Sequence, residues 1–467
     1  MSDASDAPDA PDARDGPGSP RSPRSPRPLG LWSASALVIG NIIGSGIFLL
    51  PAALAPYGGG STLGWVWSFA GAMLLAVVFA RLAARFPRAG GPYAYTRLAF
   101  GGTTGFLMAW SYWISCWAGS AAIAVAVAGS LHALVPAWLD QPWQLAACAL
   151  AALWLATAVN LVGLRAAGSA QVTTVVLKVL PLLVIGLAAL PHVDPSRLVP
   201  AAVPFGAGGP SWWSVAAATA ALTLWAFQGL ECATIPADQV TDAQRLVPRA
   251  TLVGTAVAGL VTILACSAVM GLLPAADLAR SSAPFPDAAR VLWGAWAERV
   301  FATVAVISCL GALNGWVLVQ GQIPAAAARD GLFPRFFAPT DARTDGAAPP
   351  RLALVISSVL ATILVVANYT GSLVAVFTAS ILLATAAALL PYLMSAAATL
   401  WLRAAGRARF SAATLAVALG ALLFSLWALW GTGAQALRWF AGLMLAGMAI
   451  HAARWIARRL GRRQTPG

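Results

Sequence analysis

Apolar residues run along most of this chain in blocks of about 20, separated by short segments rich in glycine, proline and arginine. A helix needs about 20 apolar residues to cross a hydrocarbon core roughly 30 Å thick, so each block predicts a transmembrane helix. The pattern therefore predicts an all-α polytopic membrane protein. The twelve predicted spans lie near residues 31–57, 62–82, 102–133, 143–162, 170–191, 212–236, 250–273, 297–328, 352–368, 372–399, 411–430 and 434–456.

Two of these spans, the first and the sixth, carry polar interruptions at mid-membrane depth. Residues 38–48 include three glycines with Asn41 and Ser45, and in the sixth span Gln228-Gly229 precedes Glu231. Backbone groups freed at such a depth must face protein or a water-filled cavity. Interruptions at corresponding positions of two halves are typical of transporters built from inverted repeats, here spans one to five and six to ten. Close helix packing through glycine is the alternative interpretation, and the matching positions of the two breaks favour the transporter.

The ends of the broken helices offer a ligand both free N–H donors, with partial positive charge, and free carbonyl acceptors, with partial negative charge. Free N–H groups at Ser45-Gly46, at the positive end of a half-helix, suit a carboxylate. Free carbonyls near Asn41-Ile42 and Trp225 suit an ammonium group. A pocket with both properties at one depth fits the backbone of an α-amino acid. Because the sequence has no phosphate-binding loop, we expect transport to draw on ion gradients or exchange.

Glu231 is the only acidic residue in the interior of the long apolar stretches, since the other fifteen lie in the N-terminal tail, in predicted loops or at helix ends. A carboxylate in hydrocarbon costs roughly 3 kcal/mol or more, so Glu231 is expected to face a protein interior or cavity and is a functional-site candidate. With 20 Trp in the chain, most indoles are expected to face lipid or its interface. We predict contact with a cation for Trp225 and Trp316, whereas Phe377 suits core packing equally well. Aromatic candidates at span midpoints are Tyr112, Trp225, Trp316, Phe377 and Tyr392.

Composition supports a membrane protein and argues against the nucleic-acid partner that a net charge of +13 would otherwise suggest. Hydrophobic residues make up 59% of the chain and charged residues 10%, against about 25% charged in soluble proteins. The basic residues gather on one predicted side, which by the positive-inside rule is the cytoplasm and also holds both termini. Of the 29 Lys and Arg, those on the predicted outer side are Arg197, Arg280, Arg290, Arg299 and Arg438.

The same pattern divides the chain into four regions. We predict a disordered cytoplasmic tail (1–29), a ten-helix transport core (30–400), two peripheral transmembrane helices (401–457) and a basic cytoplasmic tail (458–467). The first region lacks the residue order of a cleavable signal peptide. The five cysteines all lie in apolar spans and the three histidines are scattered. We therefore predict no metal site, no cofactor and no catalytic constellation of an enzyme.

Several motifs, spread over residues 30–457, carry a resemblance to a known family. They are Gly40-Asn-Ile-Ile-Gly-Ser-Gly-Ile-Phe-Leu-Leu-Pro51, Gly90-Gly-Pro-Tyr-Ala-Tyr95, Tyr112-Trp-Ile-Ser-Cys-Trp117, Asn160-Leu-Val-Gly163, Thr223-Leu-Trp225 with Glu231, Pro284-Phe-Pro-Asp-Ala-Ala-Arg290, Gly315-Trp-Val-Leu-Val-Gln-Gly321, Asp330-Gly-Leu-Phe-Pro334 and Pro391-Tyr392. Together they resemble the amino acid–polyamine–organocation (APC) superfamily, and within it the basic amino acid/polyamine antiporters, above all those that exchange arginine for agmatine in acid-resistant bacteria. The resemblance implies a LeuT-like fold: a 5+5 inverted repeat with helices one and six broken at mid-membrane.

The resemblance also implies how a substrate would be held. Its carboxylate would bind at Ser45-Gly46, and its amine at the carbonyls of Ile42, Trp225 and Gln228. Trp316 would stack on the cationic head group, and Trp225 would close over the substrate from outside. The full set expected to bind substrate is Asn41, Ile42, Ser45, Gly46, Ser115, Cys116, Ser120, Trp225, Gln228 and Trp316.

Gating is the second role that the resemblance implies. Tyr112, Glu231 and Tyr392 would form an inner gate, with Glu231 as its pH-sensitive group. The full set expected to act in gating and proton coupling is Tyr112, Lys178, Glu231, Phe377 and Tyr392.

Four positions of the distal pocket depart from the arginine/agmatine exchangers. Where those proteins hold the guanidinium with an asparagine and a serine, this chain has Ser120 and Ala384, while Ile123 stands in place of a methionine and Gln228 in place of an isoleucine. The distal pocket is therefore either wetter or shaped for a different side chain.

Lys178 is the chain's only lysine. The arginine/agmatine exchangers have an alanine there, whereas many proton-linked or exchanging carriers of the superfamily have a lysine. In those carriers the ammonium group takes the place of a sodium ion between the broken first helix and the eighth helix. A buried ammonium group is readily deprotonated, which suits a proton-linked role. The alternative is a side chain that extends to the inner interface.

The expected function is exchange of a basic amino acid for an amine by alternating access in a bacterial inner membrane, with arginine and agmatine as the leading pair. A proton-coupled amino acid symporter is the alternative within the superfamily, and a membrane sensor or enzyme on a transporter-like scaffold is the remote one. The expected partners are small amino acids and amines and the lipid bilayer, without nucleic acid. A homodimer is left open.

Overall fold

The computed structural model describes residues 30–43, 47–87, 90–139, 141–162, 169–200, 211–235, 240, 242–338, 350–367 and 372–463, and these contain helices and no β-strand. The α-helices are α1 (Leu31–Ile42), α2 (Leu50–Leu54), α3 (Ser61–Arg85), α4 (Gly91–Phe100), α5 (Gly102–Leu134), α6 (Pro142–Val162), α7 (Ser169–Ala189), α8 (Trp212–Leu224), α9 (Ala243–Leu272), α10 (Ala275–Leu278), α11 (Pro284–Trp293), α12 (Ala295–Arg329), α13 (Arg351–Ala367), α14 (Leu373–Ala404), α15 (Ala412–Gly431) and α16 (Gly433–Arg463). The all-α class predicted from the sequence is thus confirmed.

Eight of the described helices are long and apolar enough to cross a membrane. Four shorter apolar helices lie at the positions of the remaining predicted spans: Leu31–Ile42, Lys178–His192, Trp212–Phe227 and Arg351–Ala367. The protein is therefore a multi-pass membrane protein, while the total of twelve crossings stays a prediction. The third and eighth predicted spans, α5 and α12, have 33 and 35 residues. At 1.5 Å per residue each is about 50 Å long and extends beyond a hydrocarbon core.

Four helices, α1, α3, α8 and α9, pack into one group, which we call the break group because α1 and α8 lead into the two interruptions. Small and hydroxyl-bearing residues let these backbones approach each other. Gly254 of α9 lies directly against Val38 of α1. The Thr223 hydroxyl of α8 donates a hydrogen bond of 2.8 Å to Ser68 of α3.

A second group, the scaffold group, is formed by α5, α6, α12 and α13. Trp113 of α5 donates its indole N–H to Ser357 of α13 at 2.7 Å, and the hydroxyls of Thr157 in α6 and Ser358 in α13 are also 2.7 Å apart. Buried polar groups are costly unless paired, so these bonds fix how the four helices meet. α5 is the central helix: 94% of its most apolar 18-residue stretch is buried inside the protein, against 17% for α16.

α14 lies along α5 and links the scaffold group to the outer helices α15 and α16. Two short helices, α4 and α11, were not predicted from the sequence. With 10 residues each they are too short to be detected as membrane-length apolar blocks, and they lie between the long helices.

Candidate functional site

The first helix is interrupted where the glycine-rich stretch predicts a break. α1 ends at Ile42, the next residue has the non-helical angles φ −87° and ψ 76°, and the helix resumes only at Leu50, followed by Pro51. The Asn41 side chain donates to the carbonyl of Leu37, 2.8 Å away in its own helix. The predicted carboxylate site at Ser45-Gly46 lies outside the described residues.

The second interruption follows α8. A 3₁₀ turn covers Trp225–Phe227, Gln228 is extended, and Gly229 has φ +109°, a conformation that disfavours residues with a side chain. A Cβ atom at Gly229 would lie 2.9 Å from Cβ of Asn41, closer than side chains pack. The two interrupted helices therefore touch at their breaks, and a glycine permits that contact.

The Glu231 carboxylate, which is fully buried, bridges two long helices. The Tyr112 hydroxyl of α5 donates to Oε1 at 2.5 Å, and the Tyr392 hydroxyl of α14 donates to Oε2 at 2.5 Å. The backbone N–H of Gly229 donates to Oε2 at 3.2 Å. Hydrogen bonds to a charged acceptor are among the stronger ones, so three donors can hold a buried carboxylate in place. We call Tyr112, Glu231 and Tyr392 the Glu231 bridge.

A second bridge of the same form lies three residues earlier. The Ser115 hydroxyl of α5 donates to Oε1 of Gln228 at 3.1 Å, and Nε2 of Gln228 donates to the Thr385 hydroxyl of α14 at a longer 3.4 Å. Gln228 is buried and Thr385 has no exposed surface. We call Ser115, Gln228 and Thr385 the Gln228 bridge. Thr385 was missed from the sequence, although it precedes Tyr392 by seven residues and so shares its helix face.

A proline beside Tyr392 explains a further contact between α5 and α14. Pro391 has no backbone N–H, so the carbonyl of Ala387, four residues earlier, loses its helical partner. The Ser111 hydroxyl of α5 donates to that carbonyl at 2.7 Å. Ser111 is adjacent to Tyr112, and the bond therefore anchors α14 next to the Glu231 bridge.

Lys178 is buried between the break and the scaffold group. Its side chain is 7% exposed, and Nζ donates to the carbonyl of Gly40 in the last turn of α1 at 3.4 Å. The Cys309 thiol of α12 is close enough to interact with it electrostatically. Among the described residues, none of the four ion pairs includes Lys178. This position agrees with a cation held between the first and eighth predicted spans rather than one extended to the interface.

The two tryptophans expected near a substrate are both buried. Trp225 begins the 3₁₀ turn after α8 and packs against Gly119 of α5, and Trp316 lies in α12 with 3% of its surface exposed. The indole N–H of each has no acceptor among the described residues. A buried donor without a partner is costly, but the buried indoles of Trp65 and Trp117 are unpaired as well, so the contact of Trp225 and Trp316 with a ligand stays a prediction.

The remaining predicted residues lie on the same two long helices. Ser120 donates to the carbonyl of Cys116 at 2.9 Å within α5, and Phe377 is fully buried in α14. The structure thus brings the helix breaks together with residues of α5 and α14. Trp316 and Lys178 approach from α12 and α7, and within the described part of the chain neither donates a hydrogen bond to a member of the two bridges.

Comparison with known proteins identifies the family to which this chain belongs. Residues 29–453 match the family model described as amino acid permease. The chain is 33% identical to the cadaverine/lysine antiporter of Escherichia coli over 72% of its own length and 74% of the relative's. It is 31% identical to a putative arginine/ornithine antiporter of Bacillus subtilis, covering 79% and 82% of the two chains. It is 29% identical to the putrescine transporter PotE of Escherichia coli, covering 88% and 92%.

These relatives are transporters, which agrees with the predicted non-enzymatic role. The family match spans both helix breaks and every residue of the two bridges. The chain therefore belongs to the amino acid permease family, within the amino acid–polyamine–organocation superfamily.

Proposed function

We propose that this protein exchanges a basic amino acid for an amine across a bacterial inner membrane by alternating access. The observation that carries the proposal is the contact between the two helix breaks at Asn41 and Gly229, with Gln228 and Glu231 held beside it. A binding site near the middle of a bundle needs such unwound backbone to supply free carbonyl and N–H groups.

The substrate would be oriented by backbone at one end and by aromatic faces at the other. Its carboxylate would bind at Ser45-Gly46 and its amine at the carbonyls of Ile42, Trp225 and Gln228. Trp316 would hold the distal cation by a cation–π contact. Arginine and agmatine are the first pair to test, followed by the other basic amino acids and their decarboxylated amines. The substrates after which the relatives are named, among them lysine, cadaverine, ornithine and putrescine, widen the panel.

Alternating access would use the two groups of helices described above. In the proposed 5+5 repeat, spans one to ten form the transport core, and α15 and α16 are peripheral. The break group would rock against the scaffold group, and the Glu231 bridge would act as the inner gate. Both termini would lie in the cytoplasm, and the excess of arginine on that side supports this orientation.

The position of Lys178 favours a second candidate, a proton-coupled symporter. A buried ammonium group against the α1 carbonyl of Gly40 could release and regain a proton as the helices move. In a pure exchanger it would remain a fixed cation.

Purified protein in proteoliposomes separates the two candidates. Vesicles are preloaded with agmatine, cadaverine, putrescine or buffer, and uptake of labelled arginine, lysine or ornithine is measured with and without a proton gradient. Uptake that requires an internal amine supports exchange. Gradient-driven uptake into empty vesicles would replace the exchange proposal with proton symport.

A further inference from the structure

The two bridges connect the same three elements in the same way. Gln228 and Glu231 both lie in the unwound segment after α8, and each is held by one residue of α5 and one residue of α14. The segment can therefore leave its position between α5 and α14 only after both bridges have opened. One bridge contains a carboxylate, whereas the other is made of two hydroxyls and a carboxamide.

This difference in chemistry separates what each bridge can respond to. The Glu231 bridge includes a titratable acceptor. The members of the Gln228 bridge, Ser115, Gln228 and Thr385, do not titrate in the physiological range, so their hydrogen bonds persist at any pH at which the protein works. Another trigger has to open this bridge.

A bound substrate is such a trigger, because Gln228 is common to the bridge and the proposed binding site. Its backbone carbonyl is one of the proposed amine ligands, and its carboxamide completes the bridge. An ammonium group brings up to three N–H donors to this point. Those donors would compete for the acceptor atoms to which Ser115 and Gln228 donate, Oε1 of Gln228 and the hydroxyl of Thr385.

We propose that Ser115 and Thr385 are positioning residues that lock the empty carrier by fixing Gln228, and that substrate binding opens this lock. The inference rests on the proposed exchange function and explains why exchange would be obligatory. An antiporter must prevent its empty form from crossing, and the Gln228 bridge would satisfy, when no substrate is bound, polar groups that a bound substrate would satisfy instead. The bridge would then block the return of a carrier that holds no substrate.

The test measures efflux of a labelled amine from proteoliposomes into medium with and without external substrate. The variants are Ser115→Ala, Thr385→Val and Gln228→Leu. Matched controls are Ser130→Ala on α5 and Ser380→Ala on α14. Both control hydroxyls are buried but donate to a carbonyl of their own helix, at 2.9 Å and 2.8 Å. Thr385→Ser keeps the hydroxyl and serves as the conservative variant.

We expect each bridge variant to raise efflux into substrate-free medium about three- to tenfold, since one buried hydrogen bond changes an equilibrium by about that factor. Efflux by exchange should change less, so the ratio of exchange to leak falls. Thr385→Ser and both controls should keep the wild-type ratio. A merely structural role would instead lower both rates together and leave the ratio unchanged, and that result would overturn the proposal.

The same vesicles distinguish failure of this inference from failure of the proposed function. Wild-type protein that releases amine equally well with and without external substrate is no antiporter, and both proposals are then wrong. If both the wild type and the Thr385→Val variant release amine only by exchange, the proposed lock is wrong and the proposed exchange function stands.

Discussion

Tyr93 donates a hydrogen bond of 3.2 Å to Asp330, which joins α4 to the residue that follows α12. The same carboxylate oxygen accepts from Arg97 at 2.8 Å. Burial of the phenol, together with the negative charge of Asp330, raises the pKa of Tyr93 to about 12. Arg97 and Asp330 are each about two-fifths exposed, so this ion pair alone stabilises the contact little.

The raised pKa predicts how the contact depends on pH. A pKa raised on folding adds stability that is complete below the unfolded value near 10 and is lost as pH rises through about 12. Tyr93→Phe should therefore lower the free energy of unfolding by about 0.5–1.5 kcal/mol at pH 8. The difference in Tm from the wild type should narrow above pH 10. Thermal unfolding in detergent between pH 8 and 11 measures this. An equal Tm difference between variant and wild type at pH 8 and pH 11 would contradict the prediction.

Gly229→Ala should impair both folding and transport. The change puts a Cβ at φ +109°, 2.9 Å from the Asn41 Cβ, and a strained backbone position of this kind costs about 1–3 kcal/mol. Gly311→Ala in α12 is the matched control, because nothing lies within 4 Å of the added atom. We expect Gly229→Ala to lower the Tm and Gly311→Ala to leave the Tm unchanged. Asn41→Gly, combined with Gly229→Ala, should recover part of the loss by removing the shortest contact, while the close approach to the backbone of residues 41 and 42 remains.

Trp316→Leu should weaken the binding of a cationic substrate. Loss of a desolvated cation–π contact costs about 1–2 kcal/mol, a five- to thirtyfold rise in Kd. Calorimetry on the purified protein measures this directly, with the exposed Trp430→Leu as control. An unchanged Kd would remove the cation–π assignment and favour a neutral substrate.

Glu231→Gln should flatten the pH dependence of transport and leave substrate binding largely intact. An ionised carboxylate accepts hydrogen bonds from both tyrosines, and protonation at lower pH would turn one acceptor oxygen into a donor and so weaken the bridge. Glutamine cannot titrate and so cannot transmit that change. A variant with a lower Tm that keeps the wild-type pH response would show that Glu231 only braces the two helices.

Lys178→Ala should impair transport because it removes the cation that holds the last turn of α1 through Gly40. Uptake assays over a range of pH, with correct folding verified by thermal unfolding, measure the effect. Normal transport at every pH would support a side chain without a role in coupling and would strengthen the pure-exchanger interpretation.

The sequence predicts the membrane spans and both breaks because their signals are local. Blocks of apolar residues define the spans, and Gly229 or the glycines before Leu50 mark the breaks. Thr385 and Ser111 could not be predicted in this way. A hydroxyl in a membrane helix ordinarily bonds its own helix, as Ser130 does. Whether it bonds a neighbour instead depends on the rotation of α14 against α5, which no local pattern encodes.

The assigned functions of the site residues remain predictions. The resemblance to the APC superfamily implied that Tyr112 and Tyr392 accompany Glu231, and the structure has both hydroxyls at 2.5 Å from its carboxylate. Composition alone could not have paired them, because they are separated by most of the chain.

Pro391 interrupts the backbone hydrogen bonds of α14 at one position. The missing hydrogen bond lies between Ala387 and Pro391, so Thr385 lies on the N-terminal side of the interruption and Tyr392 on its C-terminal side. The two ends of α14 can tilt by different amounts. In the proposed transport cycle, release of the unwound segment would then be ordered, with one bridge opening while the other is still closed, rather than a single concerted opening.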